Sequence, residues 1–237
     1  MSGVDAIVVV AMPEEAAPFL ELATRVGDAE QIGGAIHRRI ELAGREVLLV
    51  QGGIGLVNAA GAATSAILSV GGAPLLVSAG SAGGLGDSAV GDIVIGTDHN
   101  HADADARVFG YALGQVPQMP ASYPADDAAA AALAALDIPW NDGALTIRSG
   151  LVLSGDSFVT EDKAGRLSAD FPGVLAADME SVAIAQTAHV HGVPFVSVRG
   201  ISDLCGPHEF EAHVDDAAAR SAAVVTALID WRGGAAL

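Results

Sequence analysis

The sequence predicts a single α/β domain over residues 1–237, with its sheet sandwiched between layers of helix. Three observations predict it. Short β-branched runs alternate with segments of helical pattern along the chain. The first run, "AIVVVAM" (6–12), is apolar at every position, as a strand covered on both faces must be. No long linker, internal repeat or low-complexity tail divides the alternation.

Behind that first strand, Pro13 followed by Glu14 and Glu15 opens a helix. Proline suits the first helical position, and negative charge suits the positive end of the helix dipole. "AIHRRIELAGREVLLVQGG" (35–53) divides into two strands around Ala43-Gly44, and "LVNAAGAATSAILSV" (56–70) follows as a helix of small residues. Further strands are "LLVSAG" (75–80), "DIVIGT" (92–97), "LTIRSGLVLSG" (145–155), "GVLAAD" (173–178) and "PFVSVRG" (194–200). Helices are expected at about 124–137, 161–168, 180–190 and 211–229. Ala66–Leu85 carries no charge, but its glycines, serines and proline read as helix end, strand and glycine loop rather than a membrane span.

The composition is 51% hydrophobic and 17% charged, far from the signature of disorder. Acids outnumber bases 29 to 11, a formal charge of −18, so the average field repels phosphate backbones and anionic lipid; neither nucleic acid nor a membrane is an expected partner. Cys205 is the only cysteine, which rules out an intrachain disulfide and fits a cytoplasmic protein. The apolar run at 6–12 lacks a basic leader and stops at Pro13-Glu14-Glu15, unlike a signal peptide.

Ligands of such sheets gather beyond the carboxyl ends of the strands, which makes four strand exits informative: "AMPEE", "SAGSAGGLG", "AADMES" and "RGISDLCG". Each carboxylate there has a local reading as well. Glu14 and Glu15 suit a first helical turn, Asp178 an N-cap with Glu180 behind it, and Asp203 the cap of a turn. Three acids at separate strand ends of one sheet also read as a site. "QGGIGLVNAAG" mimics a dinucleotide fingerprint, yet no acid lies between Glu46 and Asp87 to bind a ribose, and no phosphate-loop lysine exists. Both glycine segments suit close approach of backbone amides to a small ligand. In "TDHNHADAD" (97–105), His99, His101, Asp103 and Asp105 would share a face if extended, but no further histidines close a coordination shell, and a solvated loop is the expectation. His189 and His191 suit a helix C-terminus, and Cys205 lacks a basic partner that would make it a nucleophile.

Together, "AMPEEAAPFL", "GGIG", "SAGSAGGL", "VGDIVI", "FGYALGQVP", "SGDSFV", "AADMESVAIA" and "VRGISD" resemble the 5′-methylthioadenosine/S-adenosylhomocysteine nucleosidases of the purine nucleoside phosphorylase superfamily, in order and spacing, over nearly the whole chain. The resemblance implies a nucleoside phosphorylase-like three-layer α/β/α sandwich with a mixed central sheet. It also implies a homodimer, and hydrolysis of the N-glycosidic bond of adenosine-type nucleosides with no metal or cofactor. Carried over by position, Glu15 matches the acid that activates water, Glu180 the acid that binds the ribose hydroxyls, and Asp203 the acid that protonates adenine N7. Ser202 matches the residue orienting that aspartate; Arg199 and Ser81 match positions around water and ribose. Phe158 matches the ring stacked on adenine, and Val159 offers its backbone to the base edge. Met12, Ile54, Phe109, Met179 and Phe210 match the apolar wall around ribose and the 5′-thio group, while "GQVPQMP" (114–120) is expected near a neighbouring subunit's pocket.

Four departures from the family pattern stand out. Asp178 replaces a common glutamate, and its shorter reach argues against contact with a ligand. Ala106 replaces a larger aliphatic residue and implies a wider 5′ pocket. The "LCGPHE" loop is short, and Gly200 replaces an alanine with no expected consequence. The chemistry suits these residue types: protonation turns adenine into a neutral leaving group, and a carboxylate stabilises the oxocarbenium-like ribose as the bond breaks. A futalosine- or aminofutalosine-cleaving enzyme would use similar chemistry. A nucleoside phosphorylase would need arginine clamps, and a dinucleotide-binding regulatory module would need its ribose acid.

Overall fold

The apolar run that opens the chain forms strand β1 (Ala6–Val10), and it divides the core in two. Ala6, Val8 and Val10 join one hydrophobic cluster, Ile7 and Val9 the other, as the two-residue period of a strand dictates. The computed structural model describes residues 3–141 and 143–234. Helix α1 (Pro13–Leu22) follows, then strands β2 (Arg25–Ile32), β3 (Ala35–Leu42) and β4 (Arg45–Gln51), helix α2 (Leu56–Val70) and strands β5 (Leu75–Gly84) and β6 (Ile93–His101). Next come β7 (Tyr123–Pro124), α3 (Asp127–Ala134), the hairpin β8 (Pro139–Trp140) with β9 (Gly143–Ala144), and β10 (Ile147–Ser154). The chain continues through α4 (Glu161–Asp170), β11 (Val174–Asp178), α5 (Ser181–His191), β12 (Phe195–Asp203) and α6 (Pro207–Gly234).

The strands make a mixed sheet in the order β11-β10-β6-β12-β5-β1-β4-β3-β2, with β7 added to β6. Residues of α1, α3 and α6 pack in the cluster on one face, and residues of α2 and α5 in the cluster on the other, which makes the expected three layers. The small residues Ala59, Ala62, Ala63 and Ala66 of α2 and Ala185 and Ala188 of α5 let those two helices approach each other closely.

The sheet also closes on itself. β11 returns antiparallel to the far end of β5, pairing Ala176 with Gly84 and Ala177 with Gly83, so β5, β12, β6, β10 and β11 form a ring. Its interior is filled by Ala82, Val94, Val152, Ala176 and Ile201, one from each strand. The closure brings the carboxyl ends of β5, β11 and β12 side by side.

Several expected boundaries move, each for a tertiary reason. β5 continues through "SAGSAGG", because β12 and β11 pair with those glycines and hold extended what reads locally as a loop. β6 runs on to His101 instead of ending in a solvated loop, and β12 runs to Asp203. His99 is fully buried: Nδ1 lies 3.0 Å from Tyr123 O, which only accepts, so that nitrogen carries the proton and Nε2 accepts from Ser197 Oγ at 2.8 Å. Burial pushes the imidazole below its ordinary value, so it sits neutral in the core. His101 turns instead to Gln186 Oε1 at 3.0 Å, and among the described residues the metal-like spacing of "TDHNHADAD" does not become a cluster.

Strand β2 is absent from the sequence reading because "RVGDAEQI" is a mostly exposed edge strand without apolar alternation. The helix expected at 124–137 is confined to α3, with Asp126 accepting from Ala129 N as its cap. Gly200 does have a consequence. A Cβ there would lie 2.2 Å from Ala217 O, so the missing side chain admits the backbone of α6 against β12.

Candidate active site

The carboxyl ends of β1, β5, β11 and β12, with the loops after β4 and β10, enclose a cavity of about 200 Å³. It is lined by Met12, Glu15, Ile54, Ser81, Phe158, Val159, Met179, Glu180, Asp203 and Phe210, every one of them singled out in the sequence. Ala11, Ala82, Gly83, Ser157, Ala177 and Asp178 complete it. Among the described residues, the lining holds four carboxylates between apolar walls and no lysine, arginine or histidine.

Glu15 sits at the third position of α1 and is buried. Oε2 accepts from Ala11 N at 2.8 Å and Met12 N at 3.2 Å; Oε1 accepts from Ser81 N at 2.8 Å and Ser81 Oγ at 3.1 Å. The local and functional readings of Glu15 therefore coincide. Half its bonds close the first turn of its own helix, and the other half tie it to β5. Gly80 makes the approach possible: with φ at +144°, a Cβ there would fall 2.2 Å from Glu15 Oε1.

Asp203 ends β12 and is also buried. Oδ1 accepts from Cys205 N at 2.8 Å, while Oδ2 lies 2.7 Å from Ser202 Oγ. Ser202 is not part of the cavity wall; it stands behind the aspartate, with Ala82 O 3.3 Å away as a second acceptor for its hydroxyl hydrogen. Cys205 is buried and its thiol pushed up to about 11, chiefly by that burial and then by Asp203, which suits a packed residue and not a nucleophile.

Glu180 is the N-cap residue of α5, and Gly55 N donates to its Oε1 at 3.1 Å. Burial raises its carboxyl from 4.5 to about 7; Arg199 opposes the rise, Asp178 and Glu15 add to it, and the Gly55 amide opposes it. Arg199 likewise stands behind the cavity, fully buried. Its Nε lies 2.7 Å from Asp178 Oδ2, its Nη1 3.8 Å from Glu180 Oε2, and it donates to Ser181 Oγ, Ser78 Oγ and Ser81 O. Burial works against this cation, but Asp178, Glu180 and Glu15 outweigh it and raise its pKa.

Asp178 was missed as a lining residue, and its expected N-cap position belongs to Glu180; Asp178 serves the helix start from two residues further back. Its Oδ1 accepts from Ser154 Oγ and from the Glu180 and Ser181 amides, so it closes the start of α5 and anchors Arg199. Phe109 is placed elsewhere: it lies outside the cavity and is 80% exposed on a short 3-10 turn beside Val108, 85% exposed. Neither Ala106 nor the 114–120 segment lines the cavity.

A model of the phosphorylase superfamily matches residues 5–230. A 5′-methylthioadenosine/S-adenosylhomocysteine nucleosidase of Chromohalobacter salexigens is 41% identical over 86% of this chain and 88% of its own length. The chain belongs to this nucleosidase family of the phosphorylase superfamily. Among solved structures, the nucleosidase of Neisseria meningitidis in complex with methylthio-immucillin-A superposes with a TM-score of 0.88 at 36% identity, over 96% of this chain and 100% of that one. A futalosine hydrolase of Helicobacter pylori superposes with a TM-score of 0.86 over 96% of this chain and 98% of that one, but at 24% identity this likeness speaks to the fold alone. The nucleosidase family membership gives the barrel-end cavity its chemical context.

Proposed function

We propose that the protein hydrolyses the N-glycosidic bond of 5′-methylthioadenosine, S-adenosylhomocysteine and related 5′-substituted adenosines, releasing adenine and the free thioribose sugar. The observation that carries this reading is the lining itself, in which Glu15, Glu180 and Asp203 share one apolar cavity with no cation among the described lining residues to hold phosphate.

Asp203 is the general acid. As the C1′–N9 bond breaks and its electrons pass to adenine, Asp203 delivers a proton to N7. Ser202 serves both states of the acid. Its hydroxyl accepts from the protonated carboxyl while donating to Ala82 O, then turns to donate to the ionised form. Glu15, fixed by three backbone amides and Ser81 Oγ, takes a proton from the water that attacks C1′. Glu180 accepts from the ribose hydroxyls, and the carboxylates stabilise the positive charge developing on the ring. Phe158 stacks on the base, Val159 presents its backbone to the base edge, and Met12, Ile54, Met179 and Phe210 enclose ribose and the 5′ group. Arg199 acts from behind the cavity and Ser81 from its wall, holding the acids in place.

The active species is a homodimer in the cytoplasm. The exposed Val108-Phe109 pair supports the first part, being apolar surface that a second copy would cover beside its own cavity. Light scattering at assay concentration should give a dimer.

Product analysis tests the reaction. Methylthioadenosine incubated with and without phosphate should give the free sugar in both cases; formation of the sugar 1-phosphate would overturn the hydrolase reading. Asp203→Asn should stay folded and bind adenine while losing about 10²- to 10⁴-fold in turnover, the range general acid catalysis supplies. Near-normal turnover would reduce Asp203 to the cap of its turn.

A further inference from the structure

Helix α2 begins without a side-chain cap of its own. Gly55, the N-cap, has φ at +102° and no side chain to offer. Two carboxylates remote in sequence take its place: Gly55 N donates to Glu180 Oε1 at 3.1 Å, and Leu56 N donates to Asp156 Oδ1 at 2.8 Å. Two consecutive amides thus tie two different walls of the cavity together. The room for this is specific, because a Cβ on Gly55 would lie 2.9 Å from Asp156 Oδ1.

Asp156 does not line the cavity, but the three residues after it, Ser157, Phe158 and Val159, all do. Phe158 is 43% exposed and meets Phe210 edge-on with ring centroids 6.2 Å apart, so it is not wedged in the core. Its placement depends on how the loop is anchored. We infer that Asp156 is a positioning residue for base binding: its bond to Leu56 N fixes the 156–159 loop against the start of α2 and so sets the base-binding wall relative to Glu180.

The inference rests on the reading of Phe158 and Val159 as the base-binding wall. A loop that contacts the base equally in the ground and transition states affects KM more than kcat. The bond is charge-assisted and lies at the positive end of a helix, so its loss should be felt in affinity.

Calorimetric titration of the full-length protein with adenine tests this without turnover. Asp156→Ala should bind adenine about tenfold more weakly than wild type, on the scale of a single charge-assisted hydrogen bond. Asp156→Asn keeps an oxygen acceptor for Leu56 N and should recover to within about threefold. With methylthioadenosine, KM of Asp156→Ala should rise in parallel while kcat changes less than about threefold. Unchanged adenine affinity in Asp156→Ala, no recovery in Asp156→Asn, or a loss confined to kcat would each overturn the inference. A wild type that binds adenine yet cleaves no nucleoside would sink the hydrolase reading alone and leave the role of Asp156 intact.

Discussion

At the scale of single residues, the acids at the cavity are both local caps and members of the site. Glu15 accepts amides of its own helix start, Asp203 accepts the amide two residues on, and Asp178 accepts the amides of Glu180 and of Ser181, the first residue of α5. A cap geometry fixes a carboxylate at no cost in side-chain freedom at the moment of binding, which is what a pre-organised site requires. Glu180 differs, because its burial raises it from 4.5 to about 7. With its pKa raised by folding, its contribution to stability is fully present below about 4.5 and is lost as pH climbs through about 7. Glu180→Gln imitates the protonated form. Urea unfolding of wild type and Glu180→Gln should therefore show a gap that moves in favour of the glutamine variant between pH 5 and pH 8, by on the order of 3 kcal/mol at most. A gap independent of pH would show that the ionised carboxylate suffers no penalty there.

At the scale of elements, glycines decide how closely backbones approach. Gly200 lets α6 lie against β12, and alanine there would have to displace backbone, with Ala217 O only 2.2 Å from the new Cβ. Gly200→Ala should destabilise the protein by about 1–3 kcal/mol in urea melts, the usual scale of overpacking. Gly61 is the internal control: it is an exposed position within α2 where a Cβ meets nothing within 4 Å. Gly61→Ala should stabilise by about 0.5–1 kcal/mol, because alanine loses less chain entropy in a helix. Equal effects at the two positions would show that close approach is not what matters at Gly200.

At the scale of the whole molecule, 29 acids face 11 bases, so most carboxylates have no cationic partner and repel one another across the surface. The buried network around Arg199 is shielded from salt, while the surface pairs of Arg25 and Arg107 are weak in water and weaken further with salt. Repulsion is the larger exposed term. Raising sodium chloride from about 0.02 M to about 0.5 M should therefore raise the melting temperature by roughly 2–4 °C, equivalent to about 1 kcal/mol for a chain of this size. A fall in melting temperature would place attractive surface pairs ahead of repulsion.

The layers and the strand-exit acids are legible along the chain. The alternation of apolar runs and helical patterns fixes which segments are covered on both faces, as for β1, and strand-exit acids betray themselves because charge amid apolar residues needs a reason. The sequence order of motifs also carried the family resemblance. Closure of the ring of strands follows from long-range pairing, since Ala176 and Gly84 join segments about 90 residues apart whose local pattern is that of a glycine loop. The tertiary structure also decided that β2, polar and paired on one side only, is a strand, and that His99 is a neutral core residue. Above all it separated the groups that line the cavity from Arg199 and Ser202 behind it and Phe109 outside it. Local pattern records what a residue is and how often its kind recurs. Which way its side chain faces once distant strands have met is a property of their pairing, and no window of sequence contains that.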